Sequence, residues 1–130
     1  MFNIKFHQKA IVLNGENKLL ALRAAYKGLK WDLPGGAVEL PEGYEEALRR
    51  EVKEEANIEI KDIVPVAVQT AYGKDDNSYM IFIGYQAKAT SEDVKLSGEH
   101  TEYQWVTRDE FMDMDATAYL KEFVQGWRGI

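Results

Sequence analysis

Apolar and polar positions change period several times along the chain, and each change marks an element. Between Ile4 and Leu13, Ile4 and Phe6 alternate with polar residues. Ala10-Ile11-Val12-Leu13 is then apolar on both faces, as in a strand entering a covered sheet. Asn14-Gly15-Glu16-Asn17 has the composition of a hairpin turn, and Lys18 to Ala24 returns as a second strand. Gly28 to Asp32 reads as a loop leading into Leu33-Pro34-Gly35-Gly36. Tyr44 to Ala56 then contains neither Pro nor Gly and is rich in Glu, Ala, Leu, Arg and Lys, which predicts a helix. Gly43 is its expected N-cap, with Glu45 and Glu46 complementing the dipole in the first turn. Leu48, Val52 and Ala56 share one arc and can seat this helix on a core.

Ile58 to Ile63 reads as a short strand, followed by longer strands over Val64 to Tyr72 and Ser78 to Ala89. Gly73-Lys74-Asp75-Asp76-Asn77 is the hairpin connection between the latter two. Met80-Ile81-Phe82-Ile83 is apolar on both faces, as expected of a central strand. Thr90 to Thr101 is polar and reads as a loop, and Tyr103 to Val106 as a short strand. Thr107 and Glu110 have capping-box spacing ahead of a short helix through Phe111 and Met112. Tyr119, Leu120, Phe123, Val124 and Trp127 form the apolar stripe of a last helix, expected in the core, with a dimer contact as the alternative. No repeat or linker-like stretch interrupts residues 1–130, so one domain is expected, of the α/β (α+β) class, with a mixed sheet and helices on both faces.

Composition narrows the chemistry. At 130 residues, with 45% hydrophobic and 29% charged positions, the chain can bury a single sizeable core. It has no cysteine, which excludes disulfides, thiol catalysis and thiolate-bound metals. MFNIKFHQKA lacks the apolar run of a signal peptide, and no stretch approaches membrane-spanning length. The expectation is a cytoplasmic protein with no membrane partner. The net charge of −6, without a dense basic run, argues against binding a nucleic-acid duplex. An acidic protein still binds phosphates when a metal inverts the local charge.

The Tyr44–Ala56 helix supplies a reason for such a metal. At roughly 100° per residue, Glu51, Glu54 and Glu55 fall within about one quadrant. Like charges at this spacing repel, by a few tenths of a kcal/mol for each pair. Clustered hard oxygens suit Mg²⁺ or Mn²⁺. The competing reading is a solvated helix laced with the pairs Glu45–Arg49, Glu46–Arg50 and Arg50–Glu54.

Spacing separates these readings. Gly36, Glu42, Arg50, Glu51, Val52, Glu54, Glu55 and Ile58 match eight fixed positions of a pattern of Gly, five residues, Glu, seven residues, Arg-Glu-aliphatic, one residue, Glu-Glu, one residue, Gly, aliphatic. The segment 36–58 resembles the signature of the Nudix hydrolases, with Asn57 in place of the pattern's final Gly. Asn is the usual second choice for a left-handed helix end, so this departure is structural. The resemblance implies an α/β/α sandwich and divalent-metal-dependent hydrolysis of a nucleoside diphosphate linked to another moiety. It implies that Glu51, Glu54 and Glu55 hold the metal, joined by a carbonyl of the turn at Gly35 or Gly36. Arg50 would fix the carboxylates, and Glu42 would organise the loop.

The base that activates water is Glu54 or, alternatively, Glu99 or Glu102, which occupy the expected late loop where family members often carry a further glutamate. His100 between them reads as an exposed loop residue, with phosphate binding as its functional alternative, and His7 and His100 make no metal-ligand spacing. Arg23 could reach a substrate phosphate, with Lys27 and Lys30 as weaker candidates, and Trp31 and Tyr72 could stack on a base. The compact length favours a (d)NTP as substrate. Nucleotide sugars, ADP-ribose and dinucleoside polyphosphates are the alternatives, and a regulator without turnover is the competing class. Monomer and homodimer are both compatible with the sequence.

Overall fold

The computed structural model describes residues 3–73 and 77–127, apart from the side chain of Lys27. Its strands are β1 (Asn3–Leu13), β2 (Leu19–Ala24), β3 (Trp31–Asp32), β4 (Gly35–Ala37), β5 (Ile60–Gly73), β6 (Ser78–Ala89) and β7 (His100–Val106). The helices are α1 (Tyr44–Ala56), α2 (Arg108–Met112) and α3 (Ala118–Gly126). The strand order is β3-β2-β1-β6-β5, with β4 added to β1 and β7 to β2. β1 and β6 run parallel over their whole length, from Asn3↔Ser78 to Leu13↔Lys88, and the other pairings are antiparallel. The mixed sheet follows from this one parallel pair.

The pleat of β1 and β2 sorts side chains into two cores. Ala10, Val12, Leu20 and Leu22 face α1 and pack with Leu48, Val52 and Ala56. Ile11, Leu13, Leu19 and Ala21 face the other way, towards Phe111 of α2 and Leu120, Phe123 and Val124 of α3. A run apolar on both faces is therefore required where helices cover both sides, as the pattern of Ala10 to Leu13 predicts. Full burial of Leu48 and Val52, at about 1.5–3 kcal/mol each, fixes the face that α1 turns inward. Its other arc, with the acidic residues, is fixed as a consequence.

Four stretches differ from the sequence reading, one of them the expected turn at Gly35 and Gly36, which is strand β4. The expected loop over Gly28 to Asp32 contains a 3₁₀ turn (Lys27–Leu29) and the two-residue strand β3, too short to show a period. The two strands expected over Ile58 to Tyr72 are one continuous β5, with register shifts at Lys61/Val64 and Pro65/Ala67. Pro65 cannot donate to a ladder, and Asp62 has φ of 54°, so irregularity replaces a break. Residues 100–102 extend β7 into the expected loop by pairing Glu102 with Arg23 and His100 with Ala24. Lys74, Asp75 and Asp76 of the expected hairpin connection lie outside the described residues. Among the described residues, no helix is long and apolar enough to cross a membrane.

α1 ends as its sequence predicts. Asn57 is left-handed, with φ of 61° and ψ of 29°, and its N–H donates to the Lys53 carbonyl. Its Nδ2 also donates to the Asp93 carbonyl at 3.2 Å, a bond that Gly cannot make. Asn57→Gly is therefore expected to change stability by less than about 0.5 kcal/mol, relief of the left-handed penalty offsetting the lost bond. Asn57→Ala, which keeps the penalty without the bond, should cost about 1 kcal/mol. Urea titration of both variants measures the two values.

Candidate active site

α1 carries its acidic arc across a steep gradient of exposure. Glu55 is 5% exposed. The side chain of Glu51 is 17% exposed and that of Glu54 60%. Arg50 lies beside them and holds the surrounding acids. Its Nε donates to Glu42 Oε2 at 2.6 Å and its Nη2 to Glu42 Oε1 at 3.0 Å, a two-pronged pair. Its Nη1 reaches Glu51 at 2.9 Å and Glu54 at 3.4 Å. The Arg50 hydrogen bonds hold Glu42 well below the usual carboxylate range, and Glu42 in turn raises Arg50 further.

The glycines of β4, expected as a turn but paired as a strand with β1, press against this arc from the sheet. The Gly35 N–H donates to Glu55 Oε1 at 2.9 Å. Gly35 has φ of +143°, and a Cβ there would sit 2.0 Å from the Gln8 carbonyl oxygen, so no side chain is possible. A Cβ on Gly36 would meet the Glu51 carboxylate carbon at 2.8 Å. The backbone thus approaches both carboxylates as closely as bare peptide can.

Burial governs their ionisation. Desolvation pushes Glu55 up to about 7, against the lowering influence of Lys9 and of the Gly35 N–H. Glu51 is raised as well, by desolvation that outweighs its contact with Arg50. A buried carboxylate whose charge is held at such cost is suited to a cation that would restore it. Hard oxygens in this number fit Mg²⁺ or Mn²⁺.

Behind Glu55 lies a polar group that sequence reading did not find. Lys9 Nζ from β1 contacts the two oxygens of Asp32 at 2.9 and 3.1 Å and donates to the Leu33 carbonyl at 3.1 Å. Desolvation opposes both charges, but the His100 and Lys9 contacts keep Asp32 low and Asp32 keeps Lys9 high. His100 Nε2 lies 3.9 Å from Asp32 Oδ2. The reading of His100 as exposed is corrected: its side chain is only 4% exposed, because β7 begins at this residue and turns it inward. Glu55, Glu99 and His100 each offer a ligand atom, all within 4.8 Å of one another. The absence of histidine spacing along the chain concealed a cluster assembled from α1 and the start of β7.

Glu102 is placed elsewhere. It lies on β7 rather than in a loop, opposite Arg23 in register, and its Oε1 accepts from Arg23 Nη1 at 2.8 Å. Arg23 also donates to the Leu29 carbonyl at 3.0 Å and sits 5.9 Å from the Trp31 ring centre. Trp31 lines a cavity of about 380 Å³ together with His7, Met80, Phe82, Thr117 and Tyr119. Lys9, Asp32 and Gly36 line it as well. Tyr72 is 68% exposed on β5, its ring against Tyr79, and is not among the cavity's lining residues.

A family model described as the NUDIX domain matches residues 7–126. The chain belongs to the Nudix hydrolase family. The nucleoside triphosphatase NudI of Salmonella arizonae is 35% identical over 103 residues, covering 72% of each chain. The NudI of an Enterobacter species is 33% identical over 117 residues, covering 81% of this chain and 83% of its own. The crystal structure of the MutT protein from Methanosarcina mazei Go1 has a TM-score of 0.75 at 31% identity, covering 95% of this chain and 91% of that one. A MutT Nudix hydrolase from Burkholderia pseudomallei reaches a TM-score of 0.81 at 20% identity over 95% and 98% of the two chains, a likeness of fold alone. Nudix hydrolases use divalent metals and cleave diphosphate linkages in nucleotides and their derivatives. The family assignment gives this chain that activity.

The Nudix carboxylate at Glu55 makes stability depend on pH in metal-free protein. Its ordinary value is 4.5 and its folded value about 7, so between these the folded state holds a proton that the unfolded state has lost. The stability contribution is full below about pH 4.5 and falls as pH rises through 7, by roughly 3 kcal/mol in all. Thermal melts in chelator from pH 5 to 8 should show this decline. Glu55→Gln, which can still accept from Gly35, should flatten it and melt higher than the wild type at pH 8. An equal decline in both proteins would assign the pH dependence to other groups.

Proposed function

We propose that this Nudix hydrolase is a (d)NTP pyrophosphohydrolase that works with Mg²⁺ or Mn²⁺ in the cytoplasm, as a single-domain monomer or homodimer. The observation that carries the reading is the double position of Gly36, which lines the aromatic cavity and lies so near the Glu51 carboxylate that an added Cβ would meet it at 2.8 Å. A nucleoside seated in the cavity therefore presents its phosphates to the acidic arc. The relatives' name, nucleoside triphosphatase, supports the same substrate class.

Glu51, Glu54 and Glu55 would hold the cation, with a carbonyl from Gly35 or Gly36 and a further oxygen from Glu99. When bound, the cation neutralises the diphosphate and makes water a better nucleophile at neutral pH. Glu54 is the carboxylate that accepts the proton of the attacking water, since its 60% exposure leaves it open to solvent and substrate. Arg50 keeps Glu51 in place while tying Glu42 and the loop to the helix. Trp31 stacks on the base within the cavity, which Phe82 and Tyr119 also line. Arg23 would meet a phosphate only by leaving Glu102, and the exposed position of Tyr72 gives it no support as a base platform.

A nucleotide panel assayed with and without divalent cation, reading released phosphate and pyrophosphate, tests the substrate. Turnover should require the cation and be highest on a (d)NTP. Glu54→Gln should lower kcat by on the order of 10²–10⁴-fold with the fold intact. Glu102→Gln should retain most of the rate, and Glu99→Gln should raise the cation concentration needed. A collapse for Glu102→Gln at saturating cation would remove Glu54 as the base and restore Glu102 as a catalytic residue.

A further inference from the structure

The family's chemistry uses oxygen donors, and Glu51, Glu54 and Glu55 satisfy it without a histidine. Yet His100 is packed with its Nδ1 fully buried and, among the described residues, without a hydrogen-bond partner. An unpaired buried imidazole nitrogen is costly and calls for a ligand. Its ring stands among the groups that would provide one. A ring nitrogen of His100 and an oxygen from each of Glu55 and Glu99 lie within 4.8 Å of one another, a spread that a single cation can span. Glu99 is exposed and gives the cluster an edge on solvent, through which an ion could enter.

The other edge of the imidazole faces a carboxylate, the kind of partner that metal-binding histidines take. Such a ring commonly gives its second N–H to a carboxylate, which fixes the tautomer and makes the free nitrogen a better donor. Asp32 occupies that position: its Oδ2 is 3.9 Å from Nε2, an electrostatic contact that small ring movement would close to a hydrogen bond. Asp32 is itself fixed by Lys9 and by the Leu33 N–H at 2.8 Å. A proton kept on Nε2 leaves the Nδ1 lone pair free.

We propose that His100 completes a mixed nitrogen–oxygen cation site with Glu55 and Glu99, one that takes an ion such as Mn²⁺ or Co²⁺ in preference to Mg²⁺. The preference follows from donor type, because imidazole suits first-row transition ions whereas Mg²⁺ selects oxygen. The proposal rests on the metal-dependent reading given above and specifies which ion that centre favours.

Pulsed electron paramagnetic resonance of the wild-type chain loaded with Mn²⁺ tests it without reference to turnover. Directly bound imidazole nitrogen should modulate the Mn²⁺ echo, and His100→Gln should abolish the modulation. The free-Mn²⁺ signal, titrated in parallel, should show affinity falling on the order of tenfold or more in the variant. Competition with Mg²⁺ should show a Mn²⁺ preference that shrinks in the variant. Because the chain has only two histidines, His7→Gln is the spectroscopic control and should keep the modulation. Bound Mn²⁺ without nitrogen modulation would overturn the proposal while leaving the metal-dependent hydrolase intact. Modulation that persists in His100→Gln, or vanishes in His7→Gln, would overturn it too. Failure of Mn²⁺ to bind at millimolar concentration, with no cation-dependent turnover, would remove both readings. If His100→Gln does not fold, the wild-type and His7→Gln spectra still decide the matter.

Discussion

Everything at this site depends on how Arg50 manages like charges. Glu51, Glu54 and Glu55 are driven together because the neighbouring arc of α1 must bury Leu48, Val52 and Ala56. Arg50 is the cation within the protein that meets the resulting repulsion, binding Glu51 and Glu54 on its own helix. It also grips Glu42 with two bonds, so the loop ahead of α1 closes over the helix rather than swinging free. Lys would not serve equally, since the paired geometry uses the fixed fork of the guanidinium. The eight-residue interval between Glu42 and Arg50 is therefore a length requirement for closing this loop, and it explains why the signature fixes spacing as strictly as residue type.

A second constraint acts from below. Glu55 is buried against the sheet, and the elements around it contribute one piece each: Gly35 from β4, Lys9 from β1, Asp32 from β3 and His100 from β7. The register of β1 against β4 places Lys9 opposite Gly35, and that of β2 against β7 places Ala24 opposite His100. Charge is balanced here by long-range contacts instead of by solvent. This makes Glu55 hard to ionise, whereas Glu54 one residue earlier is open to solvent. One helical turn thus holds carboxylates of different character, set by depth alone.

The local features of the site were legible in the sequence. The helix, its Leu48/Val52/Ala56 seam, the left-handed Asn57 and the Arg50 clamp all follow from residues within about twenty positions of one another. The two-sided cover of the sheet followed as well, from the uninterrupted apolar run at Ala10 to Leu13. What failed was the placing of short or polar segments by pairing with distant strands. β3 is two residues long and has no period to detect, yet it delivers Asp32 and Trp31 to the site. His100 read as a solvated loop residue because its polar neighbours Glu99, Thr101 and Glu102 suggested one, and only pairing with β2 turns it inward. The signal available in sequence was its adjacency to Glu99, which is too weak alone to separate a buried histidine from an exposed one.

That pairing also divides two acids which the sequence treated together. Glu99 precedes β7 and remains beside Glu55, whereas Glu102 is held in the ladder against Arg23. A strand residue is fixed by bonds on its flanks, so Glu102 cannot approach the arc without breaking both the ladder and its ion pair. Glu99 needs neither. The Arg23–Glu102 pair, half-exposed at the cavity's side, is better seen as a brace that fixes β2 to β7 and supports Trp31 through the guanidinium. Exposed pairs contribute little to stability, so the value of this brace lies in orientation. Selectivity for the base can then vary through Trp31, Phe82 and Tyr119 while the arc on α1 stays unchanged, because Gly36 is the backbone point that cavity and carboxylates share.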